Sequence, residues 1–330
     1  MTDVKDDSPL SSKPLQGFSW SVDWNLLRTF MVIAECNGIT RAAEQLGLKQ
    51  PSVSSALRRL EEGLQVQLAE RDPRNFVLTA AGEALYAECK QIFGSVSRLP
   101  DLFSSLSDEV TGEIRVCLAS HVITPLLDET LAEFHQLYPQ TRFSVTVRSS
   151  SQVVAAVSDK SASFGVCLAH DYGNEVEGTL FYREHFGFFC GPLHPLFGRS
   201  NLQLSDLRDY ERVSFYTDSA NGYLRSVALL RQQANLSEQL AGVSDHLEEV
   251  RRMIVAGVGY GPLPIHVVET DIKTGRLWQL PPYTDTPSID IHLVRNPDAK
   301  LNRAEAKFLE LLQLRIKQTP LNERTYGASY

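Results

Sequence analysis

Residues 39–62, ITRAAEQLGLKQPSVSSALRRLEE, decide how this chain is read. Ile39, Ala42, Ala43 and Leu46 recur at helical spacing and give one apolar face to a short helix. Gly47 follows where a helix end needs a residue that tolerates positive φ. A second helix opens near Pro51, whose missing N–H costs nothing in a first turn. Val53, Leu57 and Leu60 form its buried stripe, which leaves the polar and basic residues around them on the outward face. Two short helices across a Gly-containing turn make a helix-turn-helix, and the second has the build of a helix that enters the DNA major groove. The alternative is a helix pair in some unrelated helical domain.

TRAAEQLGLKQPSVSSALRRLEE, followed by LAER at Leu68–Arg71 and LTAAGEAL at Leu78–Leu85, resembles the LysR-type transcriptional regulators, a large bacterial family. The resemblance continues more weakly from about Trp24 to about Leu314, chiefly as a pattern. Two positions depart from it. Ala69 stands where the family usually has Phe, which implies a looser contact between wing and helices. Ser55 stands where the reading helix often has Arg, which removes one expected base contact. The residues expected at DNA are Lys49, Gln50, Pro51, Ser52, Ser54 and Ser55, with Arg58, Arg59, Arg71 and Arg74 mostly on phosphates.

The length of 330 residues with 43% apolar content suits two or three soluble globular domains. A net charge of −8 argues against general affinity for nucleic acid over the whole surface. Even residues 21–110 hold only 9 Lys and Arg against 12 Asp and Glu, so DNA binding must rest on placement. No apolar run is long enough for a membrane span, and the acidic, Ser/Pro-rich start lacks a secretory core. Both point to the cytoplasm. The five cysteines include no CxxC pair, so free thiols are the default. Because some members of the resembled family sense oxidants, Cys167 and Cys190 are the thiols to test for a redox role.

Residues 1–20 read as a disordered tail and 21–82 as a winged helix-turn-helix, with helix Trp24–Ala34 in front and a strand hairpin between Leu64 and Thr79. Asp72-Pro73-Arg74-Asn75 is the hairpin tip. From Ala80 to Leu106 the residues Leu85, Cys89, Ile92, Val96, Leu99, Phe103 and Leu106 alternate at spacings of four and three, a coiled-coil seam with Pro100 as a kink. Residues 83–110 are thus the linker and dimerisation helix, although a helix lying on its own chain's core carries the same stripe.

After Gly112 the order becomes β-α-β-α-β, with strands at Ile114–Ala119, Phe143–Arg148 and Phe164–Leu168. Further α/β elements run to strand Ile289–Val294 and helix Ala304–Leu314. The resemblance implies two Rossmann-like lobes of periplasmic-binding-protein type. Lobe I takes 111–168 and 287–318, lobe II takes 169–286, with crossovers near Ala169–Gly173 and Pro281–Pro287. Residues 319–330 are expected to be a tail.

In such sheets a ligand sits beyond the strand ends, where helix N-termini present free N–H groups. The residues there are Ser120, His121, Thr124, Ser149, Ser150, Ser151, His170 and Thr217. The serines serve equally well as helix caps and the histidines as structural groups. The expected ligand is a small-molecule effector, either a small anion or a hydroxylated ring system, and an anionic one would favour Ser120 and Thr124 at a helix N-terminus. Gly257–Gly261 has the wrong spacing for a dinucleotide fingerprint, and neither a nucleophile elbow nor metal-ligand spacing occurs.

The chain is therefore expected to be a non-enzymatic, effector-responsive regulator without a cofactor. Its expected partners are double-stranded promoter DNA, a small-molecule effector and copies of itself as homodimer or homotetramer. RNA polymerase is a further candidate partner, and no membrane is involved. The competing reading, a solute-binding-like protein without DNA function, leaves the first 110 residues unexplained.

Overall fold

The computed structural model describes residues 23–72, 75–96, 99, 109–168 and 172–328, in two units that divide after Phe93. The N-terminal tail, Arg74 of the wing, Pro100, Phe103 and Leu106 of the seam, and His170 lie outside the described residues.

In the first unit, α1 (Trp24–Glu35), α2 (Ile39–Leu46) and α3 (Gln50–Leu64) close around one core. Phe30, Ile33, Ala42, Val53, Leu57 and Leu60 are essentially inaccessible to water there. Asp23 caps α1 by accepting from the Asn25 N–H. Gly47 ends α2 at φ 65°, and its N–H reaches the carbonyls of Ala43 and Glu44. No atom crowds a Cβ placed at Gly47, so the demand there is conformational rather than steric.

The wing is the antiparallel hairpin β1 (Ala69–Asp72) and β2 (Asn75–Leu78). The looser wing expected from Ala69 is not found. Ala69 is fully buried, Glu61 accepts the Leu68 N–H at 3.0 Å, and the Thr79 hydroxyl donates to the Gln67 carbonyl at 2.7 Å.

Helix α4 spans Ala80–Val96. Its expected seam divides. Cys89 is completely buried and Leu85 packs beside it in the core of the first unit, so these two serve their own chain. Val96 and Leu99, at 44% and 48% exposure, remain on the surface.

The second unit contains β3 (Gly112–Ala119), α5 (Pro125–Leu137), β4 (Thr141–Arg148), α6 (Ser150–Ser158), β5 (Phe164–Leu168) and the fourteen-residue β6 (Glu177–Cys190). Then come β7 (Arg212–Phe215), α7 (Arg225–Gln233), β8 (Leu240–Ser244), α8 (Leu247–Val255) and β9 (Gly261–Pro264). A helical turn at Ile265–Val268 leads to α9 (Glu269–Lys273), β10 (Trp278–Leu280), β11 (Ser288–Arg295) and α10 (Arg303–Gln318). Strands β3, β4 and β5 are parallel, and β11 joins them antiparallel through β5, which forms lobe I. Helix α10 returns to this lobe, where Phe308 meets Phe134, Phe143 and Phe164 at ring separations of 5.1, 5.1 and 5.6 Å.

The first crossover is not at 169–173. Strand β6 pairs with β11 from Glu177 to His185, then with β9 from Phe186 to Phe189, so one continuous strand passes between the lobes. Glu177–His185 therefore belongs to the sheet of lobe I. The physical reason is length: fourteen extended residues span both sheets without a break. The second passage between the lobes lies between Leu280 of β10 and Ser288 of β11.

Nor are residues 319–328 a free tail. Leu321–Arg324 forms a helical turn, and β12 (Thr325–Tyr326) pairs parallel with Arg183–Glu184 of β6. Arg324 is buried and donates to the carbonyls of Thr319, Leu180 and Phe181.

Candidate functional site

Two surfaces carry the candidate chemistry. On α3, burial of Val53, Leu57 and Leu60 turns the other faces of the helix outward. Lys49, Gln50, Pro51, Ser52, Ser55, Arg58 and Arg59 are exposed, and Ser54 is half-buried. Arg58 pairs with Glu62 at 2.8 Å and Arg59 approaches Asp23 at 3.8 Å. Both pairs are solvent-exposed, and such pairs contribute about 0–1 kcal/mol, so phosphates can displace them. Arg71 lies on β1, but its side chain is outside the described residues, as is all of Arg74.

The second surface is a cleft in the second unit, enclosing about 390 Å³ out to its open mouth. It lies beyond the carboxyl ends of β3, β4, β5 and β7, as the strand reading requires. Of the expected residues it brings together Ser120, His121, Ser149, Ser150 and Thr217. Thr124 is not on its wall. That side chain is completely buried, accepts the Leu126 N–H as the cap of α5 and shares a hydrogen bond with the Tyr326 hydroxyl at 2.9 Å. Ser151 does not line the cleft either; it is exposed, with its hydroxyl 3.2 Å from that of Ser149.

Sequence reasoning missed Arg148 and Asp245, the charged groups on the cleft wall, and the apolar Phe186, Phe215 and Leu224. Arg148 was legible as the last residue of the strand FSVTVR, immediately before α6. Its guanidinium favours a negative ligand, as do the N–H groups at the start of α6 that the Ser149–Gln152 capping box leaves open. Asp245 was harder to find, because it follows β8, a short strand without a strong apolar alternation.

Ser120 is already occupied. Its hydroxyl accepts the Leu247 N–H at 3.0 Å and donates to the Asp245 carbonyl at 3.2 Å. His246, the cap residue of α8, makes no side-chain cap bond, so Ser120 of lobe I caps a helix of lobe II. His121 is nearly inaccessible, and burial, helped by nearby His266, pushes its imidazole down to about 3. At neutral pH it faces the cleft uncharged.

The cysteines do not meet the redox expectation. Burial pushes the Cys167 and Cys190 thiols up to about 12, so almost no thiolate exists near neutral pH.

Comparison with known proteins accounts for most of the chain. Residues 24–83 match the family model described as bacterial regulatory helix-turn-helix protein, lysR family. Residues 107–316 match the model of the LysR substrate binding domain. The regulator CysL of Bacillus subtilis is 27% identical over 250 residues, which covers 76% of this chain and 83% of that protein. OxyR of Escherichia coli, a DNA-binding transcriptional dual regulator, is 26% identical over 301 residues, covering 88% and 94%. The solved structure of CbnR superposes with a TM-score of 0.65 at 20% identity over 89% of this chain and 99% of that one. CbnR bound to its target DNA gives 0.63 at 21% identity, over 89% and 100%. At these identities the two CbnR structures establish the fold alone.

Proposed function

The chain belongs to the LysR family of bacterial transcriptional regulators, and from that premise we propose that it reads promoter DNA with α3 and senses a small anion in the cleft between its lobes. The observation that carries the sensing part is the composition of the cleft wall. Arg148, Ser149 and Ser150 come from lobe I, Thr217 and Asp245 from lobe II, so one bound molecule would touch both. A ligand that bridges two lobes shifts their equilibrium toward the arrangement that binds it better. Hydroxyls, the Arg148 guanidinium and a helix N-terminus, together with Phe186, Phe215 and Leu224, suit an anion with an apolar body, and Asp245 suits a donor group on it.

Reading DNA in half-sites needs at least two copies. Val96 and Leu99 on the linker support pairing there, and Val145 and Val147, at 49% and 51% exposure on the edge strand β4, support a further association of sensor units. A solute-binding role alone leaves the match at residues 24–83 without a purpose.

The test has two arms. A mobility-shift assay on the upstream region of its own gene examines DNA reading. A thermal-shift screen of small organic anions on the full chain examines sensing, since a ligand at one hundred times its Kd stabilises by about 2.7 kcal/mol. A hit that survives Arg148→Ala unchanged would place the ligand elsewhere.

A further inference from the structure

Strand β6 leaves one lobe for the other at His185–Phe186, and Glu184 sits immediately before that crossing. Its side chain is completely buried, and among the described residues neither carboxyl oxygen has a hydrogen-bond partner. Groups from several elements face it. Tyr182 lies two residues back on the same strand. His266, from the helical turn of lobe II, brings Nε2 to 3.9 Å from the carboxylate while making a 3.0 Å hydrogen bond with the Ile123 carbonyl of lobe I. Tyr326 of β12 stands opposite Glu184 in register, its ring 5.2 Å from that of His266 and 5.4 Å from that of Tyr182. His121 approaches His266 from the loop after β3, its Nε2 unpartnered. Glu269 acts on His266 from the start of α9.

The cations nearby are committed elsewhere. Arg183 holds Asp290 at 2.6 Å, and Arg324 donates from Nε and Nη1 to three backbone carbonyls. An ionised carboxylate left here alone would be strongly disfavoured. Glu184 and His266 must therefore be treated as one titrating pair, which holds one proton whether that proton sits on the carboxyl or on the imidazole. Burial pushes the carboxyl well up and the imidazole down, and both directions put the proton on Glu184.

The seal over this pair consists of contacts that opening would break. His266 to Ile123 and Ser120 to Leu247 both tie the loop at residues 120–124 of lobe I to lobe II. Parting the lobes there admits water to both groups, and a hydrated pair holds its one proton on the imidazole up to about pH 6.5, the carboxyl having ionised near about 4.3. We propose that the joint between the lobes is a proton-binding site: closure takes up one proton at the Glu184–His266 pair, and opening releases it to water. The proposal rests on the two-lobed fold and is independent of which molecule fills the cleft.

The sign follows from linkage. The closed pair keeps its proton to higher pH than the open pair, so its advantage is complete below the open pair's value of about 6.5 and is lost as pH rises toward the closed pair's value. Within that window the closed-to-open ratio falls tenfold per pH unit.

The test compares the full chain with Glu184→Gln, which keeps the shape without the titrating group. Spin labels at exposed Leu137 and Leu193, in a Cys36→Ser background, report the distance between lobes from about pH 5 to pH 8. Above about pH 6.5 the wild type should lose its closed population with rising pH by up to tenfold per unit, and Glu184→Gln should be flat there. Urea unfolding over the same range should give the wild type an extra tenfold loss in folding constant per pH unit relative to Glu184→Gln. Parallel curves in either measurement overturn the proposal. Should Glu184→Gln not fold, Ser120→Ala decides: losing the bond to Leu247 loosens the seal and should move the closure midpoint to lower pH, and an unmoved midpoint is a refutation.

Discussion

Ser120→Ala tests whether one lobe caps a helix of the other. The substitution removes the acceptor of the Leu247 N–H and the donor to the Asp245 carbonyl in one step. Helix α8 has no substitute, because its own cap residue, His246, makes no side-chain cap bond, and the nearby Ser244 hydroxyl is engaged by the His246 N–H at 3.1 Å. Loss of an N-cap side chain costs about 0.5–2 kcal/mol. Here that cost falls on the closed arrangement, since the cap exists only while the lobes meet. The closed-to-open ratio should fall by a factor of roughly 2–30. Hydrogen exchange of full-length protein, followed by mass spectrometry at fixed pH, should show faster exchange in peptides spanning the start of α8 by a similar factor. Peptides from the start of α5 serve as control, because Thr124 caps Leu126 within its own lobe. Unchanged protection at Leu247 would refute the cross-lobe cap.

On the DNA side, Gln50→Ala should flatten preference among binding sites, since a bidentate contact to adenine discriminates by about 1–3 kcal/mol; competition binding with single-base variants measures this. Arg58→Ala should instead weaken all sequences alike and lower the slope of log K against log salt by about 0.9, read from a salt titration of binding. A native thiol titration near neutral pH should label Cys36, which is half-buried and donates to Gln45, and spare Cys89, Cys167 and Cys190 until pH approaches their raised values of about 11 to 12. Leu99→Asp should separate linker helices by placing a charge in their seam, with sedimentation velocity showing a smaller species. Leu85→Asp should unfold the first unit instead, because that residue packs in its own core.

Local chemistry was legible in the amino-acid sequence. The helix-turn-helix, its Gly47 turn, the outward face of α3 and the strand ends that line the cleft all follow from periodicity and backbone preference, which neighbouring residues carry among themselves. Thr124 and Ser120 show the limit of that reasoning. Both are hydroxyls at a strand-to-helix turn, yet one is consumed by Tyr326 at the far end of the chain and the other by a helix of the opposite lobe. Nothing in their local pattern distinguishes these fates from ligand contact. The same holds for Cys89, whose heptad position is satisfied by the core of its own domain, and for β6, whose apolar alternation is blind to the change of partner at His185. Partners distant in the chain are chosen by how whole elements pack, and that choice, made by burial summed over many residues, belonged to the tertiary structure alone.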